Sequence, residues 1–189
     1  QTVCSTTATL DANTPTAGTG SWAVIAGGGS VTTLNDPNSG VTGLSVGTNM
    51  FEWMITSGVC PTTRDTVSIT RDAVPTTATA GTDQTVCSTT GTLAGNTPIV
   101  GSGSLTVIAG GSAVTTPGDP TSGVTSLTVG ANTFVCTISN GSCPTSADTV
   151  IITRDQPPTT ANAGSDQEVC SSVTDLAANT PTVGAGLWT

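Results

Sequence analysis

The chain has 189 residues, of which 12 are acidic, 3 are lysine or arginine and none is histidine, so its formal net charge at pH 7 is −9. Because histidine and lysine are both absent, the sequence excludes a Ser-His-Asp or Cys-His catalytic arrangement, imidazole metal ligands and a Schiff-base lysine, and we predict no enzymatic activity, cofactor or metal site. The negative charge predicts no nucleic-acid partner, and the lack of an apolar run of about 18 residues predicts no membrane insertion.

The sequence repeats itself every 83 residues. The string QTVCSTT at 1–7 returns at 84–90, and 53 of 83 positions are identical without a gap when 1–83 is compared with 84–166. A unit of this size matches a small domain rather than a solenoid repeat. We therefore divide the chain into a first repeat, 1–73, a second, 74–156, and the start of a third, 157–189. A longer tandem array is the expected source.

Short runs of β-branched residues, separated by Gly, Pro and Asn, predict strands throughout each unit. In the second unit they are Gln84–Cys87, Gly91–Ala94, Ser104–Ala109, Val114–Thr116, Gly123–Val129, Thr133–Ser139 and Asp148–Arg154. Alternation along the last hairpin places Phe134, Cys136 and Ile138 on an inner face. The same positions of the first unit carry Phe51, Trp53 and Ile55. The pattern predicts an all-β fold, an antiparallel two-sheet sandwich in each unit.

The segments between units predict extended, semi-rigid linkers. They cover 73–82, with Pro75, and 156–165, with Pro157-Pro158. Carboxylates recur there as well: Asp72, Asp83, Asp155 and Asp166. Each junction has only two of them, so we favour solvated charges over a calcium site.

The cysteines recur with the repeat and predict disulfides. Cys4 and Cys60 have counterparts in Cys87 and Cys143, which predicts one bridge in each unit, Cys4–Cys60 and Cys87–Cys143. Each bridge closes a loop of about 57 residues, worth roughly 4 kcal/mol, and implies an oxidising compartment.

Other states of the cysteines stay open at this point. We interpret Cys136, which replaces Trp53, as a buried free thiol, and pairing of Cys87 with Cys136 is the alternative. Reduced thiols or a metal site are disfavoured because no CxxC spacing occurs.

Two strings resemble a known family. AGTDQTVC at 80–87 is similar to the opening of PKD-like and other immunoglobulin-like repeats. SNGSCP at 139–144, followed by DTVIIT, is similar to the closing hairpin of the same repeats. This cysteine-bearing form resembles the tandem repeats of large Bacteroidota surface proteins, including gliding-motility adhesins exported by the type IX system. The resemblance implies immunoglobulin-like repeats at the cell surface and a role as spacer or binder.

The same resemblance implies glycosylation. Asp65-Thr66-Val67 and Asp148-Thr149-Val150 resemble the Asp-Ser/Thr-apolar signal for O-glycosylation in Bacteroidota. With the valines inward, Thr66 and Thr149 face solvent. The alternative is that Asp and Thr simply suit the start of a strand.

These patterns predict a non-catalytic segment of an extracellular filament or adhesin stalk. Its partners are neighbouring copies of itself, with contacts through strand edges, and surface glycans are a second candidate partner. The alternative function is an accessory glycan-binding or spacer module of a secreted enzyme. That role needs an exposed aromatic platform, whereas Trp22 and Trp53 are predicted to face inward.

Overall fold

The computed structural model describes all residues, 1–189, and contains fourteen strands and no helix. The first domain has β1 Thr2–Val3, β2 Ala8–Thr9, β3 Thr19–Ala26, β4 Ser30–Val31, β5 Gly40–Thr42, β6 Gly47–Thr56 and β7 Thr63–Arg71. The second domain repeats them as β8 Gln84–Val86, β9 Gly91–Thr92, β10 Ser102–Ala109, β11 Ala113–Val114, β12 Gly123–Thr125, β13 Gly130–Ser139 and β14 Ser146–Arg154. The all-β prediction is confirmed.

Each domain is a sandwich of a four-stranded and a three-stranded sheet. The orders are β1-β7-β6-β3 with β2-β5-β4, and β8-β14-β13-β10 with β9-β12-β11. Alternation along β13 buries Phe134, Cys136 and Ile138 to 2% exposure or less, so the predicted inner face is confirmed there. Each domain has its own apolar core. The first is made of Leu10, Trp22, Val41, Leu44, Phe51, Trp53 and Ile69.

One strand pair departs from the antiparallel prediction. Each domain's first strand runs parallel to its last, with Thr2 opposite Thr70 in one and Gln84 opposite Ile152 in the other. In the second domain the residues before β8 continue this parallel run back to the start of β14, so the chain enters beside Ser146 and leaves at Arg154. This direction of travel places successive domains end to end.

The predicted linker 73–82 is a second departure, because most of it belongs to the second domain. Ala78 and Ala80 are 5% and 1% exposed and lie in that domain's core. Their backbone N–H groups donate to Ser146 Oγ at 2.9 Å and to Asp148 Oδ2 at 2.8 Å, which are groups of β14. The small alanine side chains allow this close approach. Residues 74–83, the entry segment, are therefore an edge of the sandwich.

A buried amide recurs at the same place in both domains. Asn132 is 0% exposed; its Oδ1 accepts from the Thr128 N–H at 3.0 Å, and its Nδ2 donates to the carbonyls of Thr128, Gly130 and Ile152. Asn49 makes the matching contacts in the first domain. Because a buried amide must be hydrogen-bonded, these contacts tie β13 to the loop before it.

Residues 157–189 pair with neither domain's sheets. Within this piece Thr159 N–H donates to the Val183 carbonyl at 3.1 Å and Asn179 N–H to the Asn162 carbonyl at 3.0 Å. Nearly all of its side chains are exposed, Ala161 and Ala163 among them. The piece thus reproduces the first part of a domain without the strands that would cover it.

Candidate functional site: the junction between the domains

A disulfide joins the two domains. It connects Cys4 to Cys143, with 4.8 Å between the Cα atoms and 139 residues between the two positions. The predicted pairings Cys4–Cys60 and Cys87–Cys143 are therefore wrong. Cys60 and Cys87 are free and exposed, and the bridge is a bond between units rather than one within each unit.

Strand geometry explains why the pairing within a unit does not form. Cys4 follows Val3, which lies opposite Arg71 at the end of β7, whereas Cys60 precedes the other end at Thr63. The nine residues of β7 span about 26 Å at the usual rise of about 3.3 Å per residue. Bridged cysteines need Cα atoms within about 7 Å, so Cys4 and Cys60 are too far apart.

The hairpin of the second domain lies against the end of the first domain. The Asp72 carboxylate accepts from the Ser142 N–H at 2.7 Å and from the Ser142 hydroxyl at 2.9 Å. Asn140 Nδ2 donates to the Ala73 carbonyl at 2.7 Å. These hydrogen bonds hold the turn after β13 at the point where the chain leaves the first domain, and they place Cys143 beside Cys4.

The contact between the turn and the first domain depends on the Asp72 carboxylate and on the glycine at position 141. The Ser142 hydrogen bonds stabilise the charged form of Asp72 and hold the pKa of its carboxyl below the usual 3.8. Gly141 has a φ of +52°, and a Cβ atom there would collide with the Asp72 carboxylate. The Asn140-Gly141 turn between β13 and β14 is thus fitted to the neighbouring domain. The other predicted junction acid, Asp83, accepts from the Ile151 N–H at 2.8 Å.

The remaining cysteines are not oxidised. Cys136 is a buried free thiol, as interpreted from the sequence, and the alternative Cys87–Cys136 bridge is absent. Burial raises the pKa of Cys136, and the charge of Asp148 raises it further. A protonated thiol in the core is unreactive. Cys170, in the third piece, is free and exposed.

The aromatic side chains form no platform on the two domains. Trp22 and Trp53 are each 4% exposed and pack together with ring centroids 5.0 Å apart, so their predicted inward orientation is confirmed. Trp188 is exposed, but it lies in the third piece without a second tryptophan beside it. Thr66 and Thr149 are exposed on β7 and β14, and their glycosylation stays a prediction.

No protein-family profile matches the chain, and no curated protein sequence matches it. Solved structures similar to it include the insect immune protein hemolin, with 8% identity, 82% of this chain and 44% of hemolin covered, and a TM-score of 0.47. Tandem Ig repeats of Dlar are 10% identical over 73% of this chain and 82% of that one, with a TM-score of 0.35. Fibronectin(III)-like modules of Clostridium thermocellum CbhA are 12% identical over 79% and 94%, with a TM-score of 0.34. The chain thus spans less than half of hemolin.

The class of protein follows from the strand order and the two-sheet packing described above. The chain is a tandem array of immunoglobulin-like sandwich domains joined by a covalent junction. No helical segment has the length and hydropathy of a membrane span.

Proposed function

We propose that this chain is a non-catalytic structural segment of an extracellular repeat protein that builds a cell-surface filament or adhesin stalk. The setting we propose is a large surface protein of the Bacteroidota type, exported by the type IX system, with Thr66 and Thr149 as glycan acceptors. Its main partners are neighbouring copies of the same repeat. Surface glycans are a further proposed ligand.

The disulfide between the domains is the observation that carries this proposal. A binding module needs only its own fold, whereas a covalent bond from one unit to the next contributes to an array. Because such bonds persist outside the reducing cytosol, the bridge also supports an extracellular setting.

The position of the bridge suits a protein under tension. When the chain is pulled from its ends, force passes from Cys4 through the sulfur atoms to Cys143, and the 139-residue stretch between them carries none of it. Both sandwich cores lie largely within that protected stretch. The bridge therefore limits how far the chain extends even when a domain unfolds.

Single-molecule pulling of residues 1–189 tests the mechanical role. We expect the fully extended length of the oxidised chain to be shorter than that of the reduced chain. Reduction should release roughly 460–500 Å of additional length, which is 139 residues at about 3.3–3.6 Å each. Cys4→Ser should give the full length without reductant, and Cys170→Ser, which removes an exposed thiol outside the bridge, should behave as the wild type. Equal lengths before and after reduction would contradict the mechanical role.

Electron microscopy of the intact native protein tests the assembly. We expect an elongated filament or stalk composed of beads that correspond to single domains. A compact globular particle, or a catalytic domain against which these modules fold back, would favour the accessory-module alternative instead.

A further inference from the structure

The only Asn-Gly pair of the chain lies at the junction between the domains. It is Asn140-Gly141, in the turn between β13 and β14. Such a pair can modify itself, because the backbone nitrogen of the glycine can attack the side-chain carbonyl carbon of the asparagine and release ammonia. Glycine favours this attack because it has no Cβ atom to hinder it. The pair is therefore a modification site that needs no enzyme.

The attacking nitrogen is free in the structure. Gly141 is exposed, and its N–H makes no hydrogen bond to the protein. The next two N–H groups of the turn are both occupied. That of Ser142 donates to the Asp72 carboxylate at 2.7 Å. That of Cys143 donates to the Asn140 carbonyl at 3.1 Å. Water can therefore take the proton of the Gly141 nitrogen without breaking a contact of the fold.

The amide group that would leave is held by the first domain. Asn140 Nδ2 donates to the Ala73 carbonyl at 2.7 Å, and the Asn140 side chain is half-buried there. Because Nδ2 departs as ammonia, the reaction has to break this hydrogen bond. The first domain thus holds the leaving group of a reaction whose nucleophile lies in the second domain.

Further contacts keep the turn against the first domain. The Asp72 carboxylate accepts from the N–H and the hydroxyl of Ser142, two residues after Asn140. The Cys4–Cys143 bond fixes the next residue of the turn covalently. Since hydrogen bonds to a charged group are stronger than neutral ones, these contacts oppose the opening that would release Asn140.

We propose that Asn140-Gly141 is a self-modification site that the docked junction protects and that reacts when the junction opens. The Gly141 nitrogen loses its proton and bonds to Asn140 Cγ, the Cγ–Nδ2 bond breaks, and Nδ2 leaves with an added proton as ammonia. Water then adds to either carbonyl of the cyclic imide, and the ring opens to an aspartate or an isoaspartate at position 140. The proposal rests on the structural role argued above, because it describes how the same junction is lost.

Either product weakens docking of the turn. A carboxylate at position 140 has no N–H group to donate to the Ala73 carbonyl, and it adds a negative charge close to the Asp72 carboxylate. Isoaspartate also lengthens the backbone by a carbon atom, which moves Ser142 and Cys143 away from their partners. A junction that has stayed open long enough to react is therefore permanently weakened.

Mass spectrometry of the purified, oxidised chain during incubation in mildly alkaline buffer tests the protection. The free peptide Ser139–Pro144 gives the unprotected rate. We expect Asn140 in the wild-type chain to be modified at least about tenfold more slowly than in the peptide, because several hydrogen bonds must break first. Cys4→Ser and Asp72→Asn should each raise the rate toward that of the peptide, whereas Asp155→Asn should leave it unchanged. Modification of the wild-type chain at the peptide's rate, or no acceleration in either junction variant, would overturn the proposal.

A control within the same molecule separates protection by the junction from protection by the hairpin itself. The equivalent turn of the first domain reads Ser57-Gly58, and Gly58 has a φ of +54°, close to the +52° of Gly141. A Cβ atom at Gly58 would meet nothing within 4 Å, so no domain lies against this turn. The Asn-Gly pair created by Ser57→Asn should therefore react at least about tenfold faster than Asn140 in the same chain. Equally slow reaction at both turns would show that the hairpin alone protects, which overturns the proposal.

A variant that carries the aspartate product tests the consequence for the junction. We expect Asn140→Asp to form the Cys4–Cys143 bond about three- to tenfold more slowly during refolding, followed by trapping free thiols, because one hydrogen bond across the junction is lost. Asn38→Asp adds the same charge at an exposed turn far from the junction and should refold at the wild-type rate. Bond formation at the wild-type rate in Asn140→Asp would show that the modification does not weaken docking. These measurements use the unloaded chain, so they fail independently of the pulling experiment.

Discussion

The carboxylate of Asp72 in the first domain accepts two hydrogen bonds from Ser142 in the second, at 2.7 and 2.9 Å. Together with the Cys4–Cys143 bond they form the junction. An acid on one unit and a turn on the next therefore fix the contact between repeats.

The junction should weaken in acid because of Asp72. Its pKa is lower in the folded protein than the usual 3.8, so its stabilising effect is fully present above that value and is lost as the pH falls through the lower, folded value. We expect Asp72→Asn to flatten the acid side of the stability-against-pH curve, measured by chemical unfolding from pH 6 to pH 2.5. Asp155→Asn removes the equivalent acid one repeat later, which has no such partner, and should leave the curve as in the wild type.

The same substitution at two matched glycines separates the cost of backbone strain from the cost of a collision at the junction. Gly58 and Gly141 have φ values of +54° and +52°, but a Cβ at Gly58 meets nothing within 4 Å, while one at Gly141 meets Asp72. Gly58→Ala should therefore cost only the left-handed backbone penalty, about 1–2 kcal/mol. Gly141→Ala should cost more and should slow formation of the Cys4–Cys143 bond, followed by trapping free thiols during refolding. Equal behaviour of the two variants would contradict a tight fit at Asp72.

The bridge should couple the stability of the two domains. Closing a loop of 139 residues is worth about 5 kcal/mol in the chain-entropy relation, and the loop includes most of both cores. We expect Cys4→Ser to lower the summed free energy of unfolding by up to about that amount and to let the domains unfold separately, measured by calorimetry. Cys136→Ala, which removes a thiol that forms no bridge, should retain the coupling. A single unchanged transition in Cys4→Ser would argue against it.

The buried amide of Asn132 should be essential to the second domain. Its replacement by alanine leaves three carbonyls and the Thr128 N–H without their partner in the core, which we expect to cost about 2–4 kcal/mol. Native-state hydrogen exchange of the β13 and β14 backbone amides reports this domain, since all three tryptophans of the chain lie outside it. Asn38→Ala, at an exposed turn position, is the control and should change stability by less than about 0.5 kcal/mol.

The sequence alone determined the strands, the period and the inner faces. Alternation along β6 and β13 is local, since every second side chain of a strand points to the same side, so Phe51 and Phe134 could be placed in the core without a structure. The buried amides Asn49 and Asn132 were missed, because an Asn near the start of a strand carries no local sign that its side chain turns inward.

The partner of Cys4 was decided only by the tertiary structure. The spacing of 139 residues to Cys143 is the spacing from Cys4 to Cys60 plus one repeat of 83, so an exact repeat makes the two partners equivalent in sequence. What separates them is the direction of the first strand, which runs parallel to the last and places Cys4 at the far end of β7. The prediction of a linker over 73–82 is wrong for a related reason: alanine and proline give a weak apolar signal, and only packing against β14 shows that Ala78 and Ala80 are core.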